Sequence, residues 1–281
     1  MKILYVTDLH GMEWKYDRLL RVAIDCKVNA VVNGGDMLPK GGDLMCQDDF
    51  IRDFLDSHFQ KYNDAGIDYL CCLGNDDLRR FDLLFKSICD KYSRMHDIAQ
   101  SKIELGGFEF IGMNWVVDYP LRLKDRCRMD AKDYVFQQQY GSGLLSTDTG
   151  WKDLEDWFAY ARTLPTIEEE LYELVQPDDP LKTIYSIHMP PANMGLDKCA
   201  HGLEMGSKAV YKFLEDKQPR LSLHGHIHES PTCSGKWWGR IGQTLCIQPG
   251  QLESLSYVFI DLDTMEFERY ALEHNIKDLS H

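Results

Sequence analysis

Positive charge is scarce in this chain. It carries 31 Lys and Arg against 45 Asp and Glu, a formal charge of −14. That balance excludes a protein that holds long nucleic acid through a basic footprint. It leaves room for a small phosphate-bearing molecule, which needs only a local cationic centre. Long apolar runs are missing too. Nothing approaches the ~20 residues that span a bilayer. After Lys2 only Ile3–Val6 are apolar before Thr7 and Asp8, too short a run for a secretory leader. No two of the nine cysteines are spaced C-x-x-C. Cys71 and Cys72 are adjacent and the others are scattered, which reads as the reduced thiols of a cytoplasmic protein. Internal repeats and low-complexity tracts are absent. What is present is 281 residues, 44% of them apolar, enough to bury a sizeable core without staples.

The first part of the chain alternates in type. Ile3–Val6 is a short apolar run suited to a buried strand. Trp14–Cys26 follows with Leu19, Leu20, Val22 and Ala23 at helical spacing. Ala30–Val32 is a second strand candidate, ending in Gly34-Gly35. Phe50, Ile51, Phe54, Leu55, Phe59 and Tyr62 then mark a long amphipathic helix, with Gly66 as its stop. Ile67–Leu73 is a third strand candidate. This order predicts βαβ units and a mainly parallel sheet. Further along, Thr183–Ile187, Leu221–Leu223, Thr244–Ile247, Tyr257–Leu262 and Glu266–Leu272 are strand-like, the last two joined by an Asp263-Thr264 turn. Two packed sheets with helices outside are expected. Between Val117 and Pro180 the pattern weakens into charge, aromatics and prolines. That suggests one domain over 1–281 with an inserted cap-like segment at 118–180.

Open α/β sheets place ligands at strand ends, and here the strand ends are polar. Asp8-Leu9-His10 follows the first run, Gly34-Gly35-Asp36 the second and Gly74-Asn75-Asp76-Asp77 the third. His188 follows a later strand, and His224-Gly225-His226-Ile227-His228 the next. Each piece alone is a weak signal, but the ordered set is not. It supplies carboxylates, imidazoles and one amide, a mixed O/N donor set without thiolate that suits Mn, Fe or Zn. Seven ligands with one shared carboxylate make two sites of about four protein ligands each, as a two-metal hydrolytic centre requires.

With these residues in this order, the sequence resembles the calcineurin-like metallophosphoesterase family, whose pattern is D-x-H, G-D, G-N-H-[DE], a lone H, and G-H-x-H. The resemblance runs from Asp8 to His228. It implies an α/β (α+β type) four-layer αββα sandwich of two mixed sheets. It implies that Asp8, His10, Asp36 and His228 hold one divalent ion. Asp36 would bridge to a second, which Asn75, His188 and His226 complete. The implied chemistry is attack on phosphorus by a metal-bridging hydroxide, with Asn75 helping to stabilise the phosphoryl oxygens.

Two departures stand out. Where the family pattern has a histidine after the asparagine, this chain has Asp76. An ionised aspartate there repels the substrate and donates no proton. It therefore favours a good leaving group, as in a phosphodiester or diphosphate; a raised pKa beside Asp77, or a hydrogen bond to a histidine ligand, are the other roles open to it. The second departure is the insertion, where Arg122, Lys124, Arg126 and Arg128 are candidates for a phosphate clamp or a solvated face. Its aromatics Tyr119, Tyr134, Tyr140, Trp151 and Trp157 are either a stacking surface or the cap's own core. His201 is a candidate for the missing acid, and His224 for a group behind the ligands. His58 reads as structural. The leading expectation is a dimetal phosphohydrolase on a small diester or diphosphate. The alternatives are a phosphomonoesterase or protein phosphatase, and a non-catalytic binding scaffold of the same fold.

Overall fold

The computed structural model describes residues 1–274, apart from the side chain of His201; His281 lies outside them. Sixteen strands occur among the described residues. The early ones are β1 (Lys2–Val6), β2 (Ala30–Asn33), β3 (Asp68–Cys71), β4 (Met95–Asp97), β5 (Lys102–Leu105) and β6 (Phe108–Met113). The 118–180 region and its approach hold β7 (Val116–Val117), β8 (Cys127–Arg128), β9 (Gly143–Thr147) and β10 (Gly150–Leu154). Then come β11 (Thr183–Ile187), β12 (Leu221–Leu223), β13 (Trp238–Ile241), β14 (Thr244–Ile247), β15 (Leu255–Asp261) and β16 (Glu266–Leu272).

Two six-stranded sheets result, ordered β16-β15-β1-β2-β3-β4 and β13-β14-β12-β11-β6-β5. Both are mixed. In the first, β1 to β4 run parallel and β15 pairs antiparallel with β1. In the second, β6, β11, β12 and β14 run parallel, with β5 and β13 antiparallel at the edges.

Strand alternation explains the layering. Along β1, Ile3 and Tyr5 enter a core with Val32, Leu70, Ile184, Leu223, Ile247 and Val258, between the sheets. Leu4 and Val6 face the other way, onto Tyr16, Leu19 and Ala23 of the helix Glu13–Asp25 and onto Phe59 and Tyr62 of the helix Asp56–Asp64. On the far side, Ile111, Tyr185 and Ile187 pack against Val210, Phe213 and Leu214 of the helix Lys208–Lys217. Helices therefore cover the outer face of each sheet, as expected for a four-layer sandwich. No helix among the described residues is long and apolar enough to cross a membrane.

Two sequence expectations shift in detail. The amphipathic run from Phe50 begins as a π-helical stretch, Phe50–Leu55, and becomes α-helical only over Asp56–Asp64. The inserted segment has no core to itself: Trp157, Ile167 and Leu171 pack in the same cluster as Ile187 and Val210. Trp157 and Tyr119 are buried in it, whereas Tyr140 and Trp151 are exposed.

His58 is fully buried among Tyr16, Phe54 and Tyr62, and neither ring nitrogen has a hydrogen-bond partner. Burial pushes its imidazole down to about 3. In the unfolded chain a histidine binds a proton near pH 6.5. As pH falls below that value the unfolded state gains a proton that the fold excludes, so stability is lost by up to about 1.4 kcal/mol per pH unit. His58→Phe is expected to remove that contribution. Between about pH 6.5 and about pH 4.5 its unfolding free energy should fall about 2 kcal/mol less than that of the wild type. Parallel denaturation curves for the two proteins would refute this.

Candidate metal centre

The parallel strands of both sheets end on one side, and their loops meet there. Asp8 and His10 follow β1, Asp36 follows β2 and Asn75 follows β3. His188 leaves β11, and His226 and His228 leave β12. Four of these residues, Asp8, His10, Asp36 and His226, adopt positive φ of 58°, 47°, 51° and 68°. Such left-handed backbone costs a non-glycine residue on the order of 1 kcal/mol or more. Strain gathered at one point in a fold is a mark of function.

The side chains fall into two groups that share Asp36. In the first, Asp8, His10, Asp36 and His228 offer ligand atoms that all lie within 4.8 Å of one another. His10 Nε2 is 3.0 Å from His228 Nε2, and His228 Nε2 is 3.3 Å from Asp8 Oδ1. In the second, Asn75 Oδ1 lies 3.0 Å from His188 Nε2 and 2.6 Å from His226 Nδ1, while His188 Nε2 is 3.5 Å from Asp36 Oδ2. Backbone N–H groups hold the carboxylates in place. Asp76 N donates to Asp36 Oδ1 at 2.8 Å, and His226 N to Asp8 Oδ1 at 3.1 Å.

The donor set fits divalent cations. Asp8 Oδ2 and His10 Nδ1 are buried without any hydrogen-bond partner, which is costly unless something else satisfies them. Burial pushes His10 down to about 4 and His226 down to about 3, so both imidazoles are neutral at pH 7 and keep a lone pair for a metal. Behind the ligands, His224 directs Nδ1 at the carbonyls of Ile187 and Met189, 2.9 and 3.1 Å away. Tyr5 donates its hydroxyl to the His224 carbonyl at 2.7 Å. His224 thus joins the ends of β11 and β12.

Asp76 sits at the edge of the cluster. Its Oδ1 accepts from Asn75 Nδ2 at 2.9 Å, and its Oδ2 is 4.0 Å from His10 Nδ1. The Asn75 amide is therefore oriented with its oxygen toward the two imidazoles. Burial, and next the charge of Asp36, push the Asp76 carboxyl up to about 7. Asp77 does not face it as expected. Its carboxylate accepts from the N–H groups of Met37, Leu38 and Gly74, at 2.9, 2.8 and 2.7 Å, and ties the second loop to the third.

Of the two roles open to the basic run, phosphate clamp or solvated face paired with acids, the pairing is present but the residues are mostly buried. Lys124 is buried and donates to Asp118 Oδ1 at 2.7 Å and to the Tyr119 carbonyl. Arg126 pairs with Asp82 and donates Nε to the Gly74 carbonyl at 2.8 Å, bracing the turn before Asn75. Arg128 pairs with Glu170 and lies over the Trp115 ring. Arg122 is exposed and bonds Ser142 and Asp153. Cations inside an apolar segment require partners, and no spacing rule shows that burial in advance. His201 lies in the short helical turn Ala200–Gly202.

Sequence reasoning missed Lys40. It is exposed in the loop after Asp36, and no ion pair engages it among the described residues. Gln47 Nε2 donates at 2.9 Å to the carbonyls of both Pro39 and Asp76, tying that loop to the Asp76 turn. The Lys40 charge reaches His10, Asp76 and His228. Its position four residues past Asp36 was the available signal. Tyr119 also reaches the centre, with its hydroxyl 3.4 Å from Asn75 Nδ2.

The calcineurin-like phosphoesterase family pattern matches residues 1–230. No curated protein matches the chain in sequence. Solved structures do match. The protein TT1561 of Thermus thermophilus is 18% identical, with 96% of this chain and 98% of that chain covered and a TM-score of 0.61. An archaeal phosphodiesterase is 12% identical over 97% of this chain and 100% of that one, with a TM-score of 0.49. A dimetal phosphatase from Danio rerio is 12% identical over 98% and 93%, with a TM-score of 0.48. The likeness to the Thermus protein is one of fold.

Two of the glycines that leave no room for a side chain lie against the donor carboxylates. A Cβ at Gly74 would overlap Asp36 Oδ1, and one at Gly225 would overlap Thr7 Oγ1 and crowd Asp8. Gly74→Ala is expected to keep the far-ultraviolet spectrum of the wild type yet weaken Mn binding by about 10–100-fold in calorimetry, as displaced supporting groups do. Asp36→Asn, which removes the shared carboxylate, should abolish binding altogether. Undiminished Mn uptake by either variant would contradict this reading of the centre.

Proposed function

The chain belongs to the calcineurin-like phosphoesterase family, and from that premise we propose that it hydrolyses phosphodiester or diphosphate bonds of a small substrate with two divalent cations, Mn, Fe or Zn. The observation that carries the proposal is the pair of donor groups sharing Asp36, with Asp76 beside them. Asp8, His10, Asp36 and His228 would hold one ion, and Asp36, Asn75, His188 and His226 the other. Bound there, divalent cations supply an acidified water and a positive field for the phosphoryl oxygens.

The chain's own residues then divide the remaining work. Asp36 fixes the two donor groups relative to each other. Asp76 holds the Asn75 amide through the 2.9 Å bond, and so acts as a positioning residue. Cations bound beside it would favour the ionised form of that carboxyl, and the position offers no histidine to protonate a leaving oxygen. A leaving group that departs without a proton is favoured, hence the diester or diphosphate. Lys40 supplies a cation at the entrance, one of the two parts open to the 122–128 run in the sequence. The acid excess elsewhere favours a small substrate over a polyanion. Nine cysteines with no disulfide support a reducing compartment such as the cytoplasm.

With Mn added, bis-p-nitrophenyl phosphate is expected to be hydrolysed faster than p-nitrophenyl phosphate. Asp76→His should retain Mn and shift the ratio toward the monoester by about tenfold or more. A wild-type preference for the monoester would overturn the leaving-group argument, and a metal-loaded but inert protein would favour a binding scaffold. Lys40→Gln should raise KM about tenfold with little change in kcat, the loss of one charge-assisted contact. An unchanged KM would remove Lys40 from the site.

A further inference from the structure

Beyond the donor groups, the loops carrying His188 and His228 continue into the walls of an open cleft of about 520 Å³. Asn193 and Met194 form one wall, and the segment from Gly235 to Arg240 forms the other. Tyr211 of the helix Lys208–Lys217 also lines it.

Its chemistry runs against that of the whole chain. Lys236 and Arg240 are its charged residues, and no carboxylate lines it among the described residues. Neither cation is in an ion pair among the described residues. Arg240 gives one guanidinium N–H to the Gln243 carbonyl at 3.0 Å and keeps the rest. Between the two cations, Trp238 is 43% exposed, its ring set edge-to-face on Phe267 at 5.4 Å. Two cations that flank an open indole suit a ligand with a flat ring and an anionic group. The cleft is also joined to the metal-ligand loops. The Trp237 carbonyl accepts from Gln248 N at 2.8 Å, and Gln248 Nε2 donates to the carbonyls of Gly225 and Ile227, on either side of His226.

We propose that this cleft is a second binding site, for an anionic ligand with a planar aromatic body of the nucleoside monophosphate class, held by Lys236, Arg240 and Trp238. Such a group can arrive as the far end of a substrate or as a separate effector. The site is independent of whether the metal centre hydrolyses anything, so binding is tested first without metal.

In calorimetry on the full chain stripped with EDTA, adenosine monophosphate is expected to bind saturably. The double variant Lys236→Gln/Arg240→Gln should bind about tenfold or more weakly, and Trp238→Leu should also weaken it. A variant removing the same charge elsewhere, Lys61→Gln/Lys91→Gln, should bind as the wild type does. Equal affinity in the wild type and the Lys236/Arg240 variant, or no binding at millimolar ligand, overturns the site. With Mn present, the source of the ligand separates. A substrate's far end gives a KM increase in the Lys236/Arg240 variant for the p-nitrophenyl ester of thymidine monophosphate but not for bis-p-nitrophenyl phosphate. An effector gives a change in bis-p-nitrophenyl phosphate hydrolysis on adding adenosine monophosphate, lost in the same variant.

Discussion

One imidazole joins the two halves of this protein. His188 grows from the second sheet, yet its Nδ1 is 2.8 Å from the Gly34 carbonyl and its Nε2 is 3.0 Å from Asn75 Oδ1. Both partners belong to loops of the first sheet. It is wholly buried, and the Asp36 carboxylate stands 3.5 Å away. Buried polar groups tolerate few alternative arrangements. This contact therefore closes the sandwich at the ends where the parallel strands stop. His224 and Tyr5 make a second tie just behind it, again from one sheet to the other. With that end closed, Asp8, Asp36, His226 and His228 have nowhere to go but toward one another.

The closure also explains why strained backbone is tolerated there. Four residues of the centre hold left-handed φ. Three of them are held by their own N–H groups: Asp8 N donates to the Gly35 carbonyl and His10 N to the Asp36 carbonyl, both at 2.9 Å, and His226 N to Asp8 Oδ1 at 3.1 Å. Backbone bonds between adjacent loops hold what local preference would relax. Asp77, Gln47 and Arg126 extend the same scaffold outward, binding loop to loop and leaving the metal-facing atoms uncommitted.

Charge is distributed by burial, not by sequence density. The densest basic run, 122–128, is largely folded inward, where Lys124 and Arg126 neutralise Asp118 and Asp82. Cations without an acid partner among the described residues include Lys40, in the loop after Asp36 and felt by His10, Asp76 and His228, and Lys236 and Arg240, which line one cleft with Trp238. In a chain of net charge −14, positive charge is thus set by which cations packing leaves without an acid, not by where they are dense in sequence.

The sequence by itself determined the strand ends and what they carry. Asp8/His10, Asp36, Asn75, His188 and His226/His228 each follow an apolar run, and apolar runs and helical spacing revealed the strands that carry them and the first helices, but not β4–β10 or the helix Lys208–Lys217. Those signals are local, so they survive reading in one dimension. Tertiary structure alone decided the rest. It showed that Asp76 faces Asn75 while Asp77 braces two backbone turns, although the two are neighbours of the same type. It turned most of the conspicuous basic run into internal ion pairs and left the inconspicuous Lys40 exposed where its charge is felt by His10, Asp76 and His228. It brought segments after His188 and His228 together as a cleft. The physical reason is common to all three: which partner a charge meets depends on packing between residues far apart in the chain, and spacing along the chain carries no record of that.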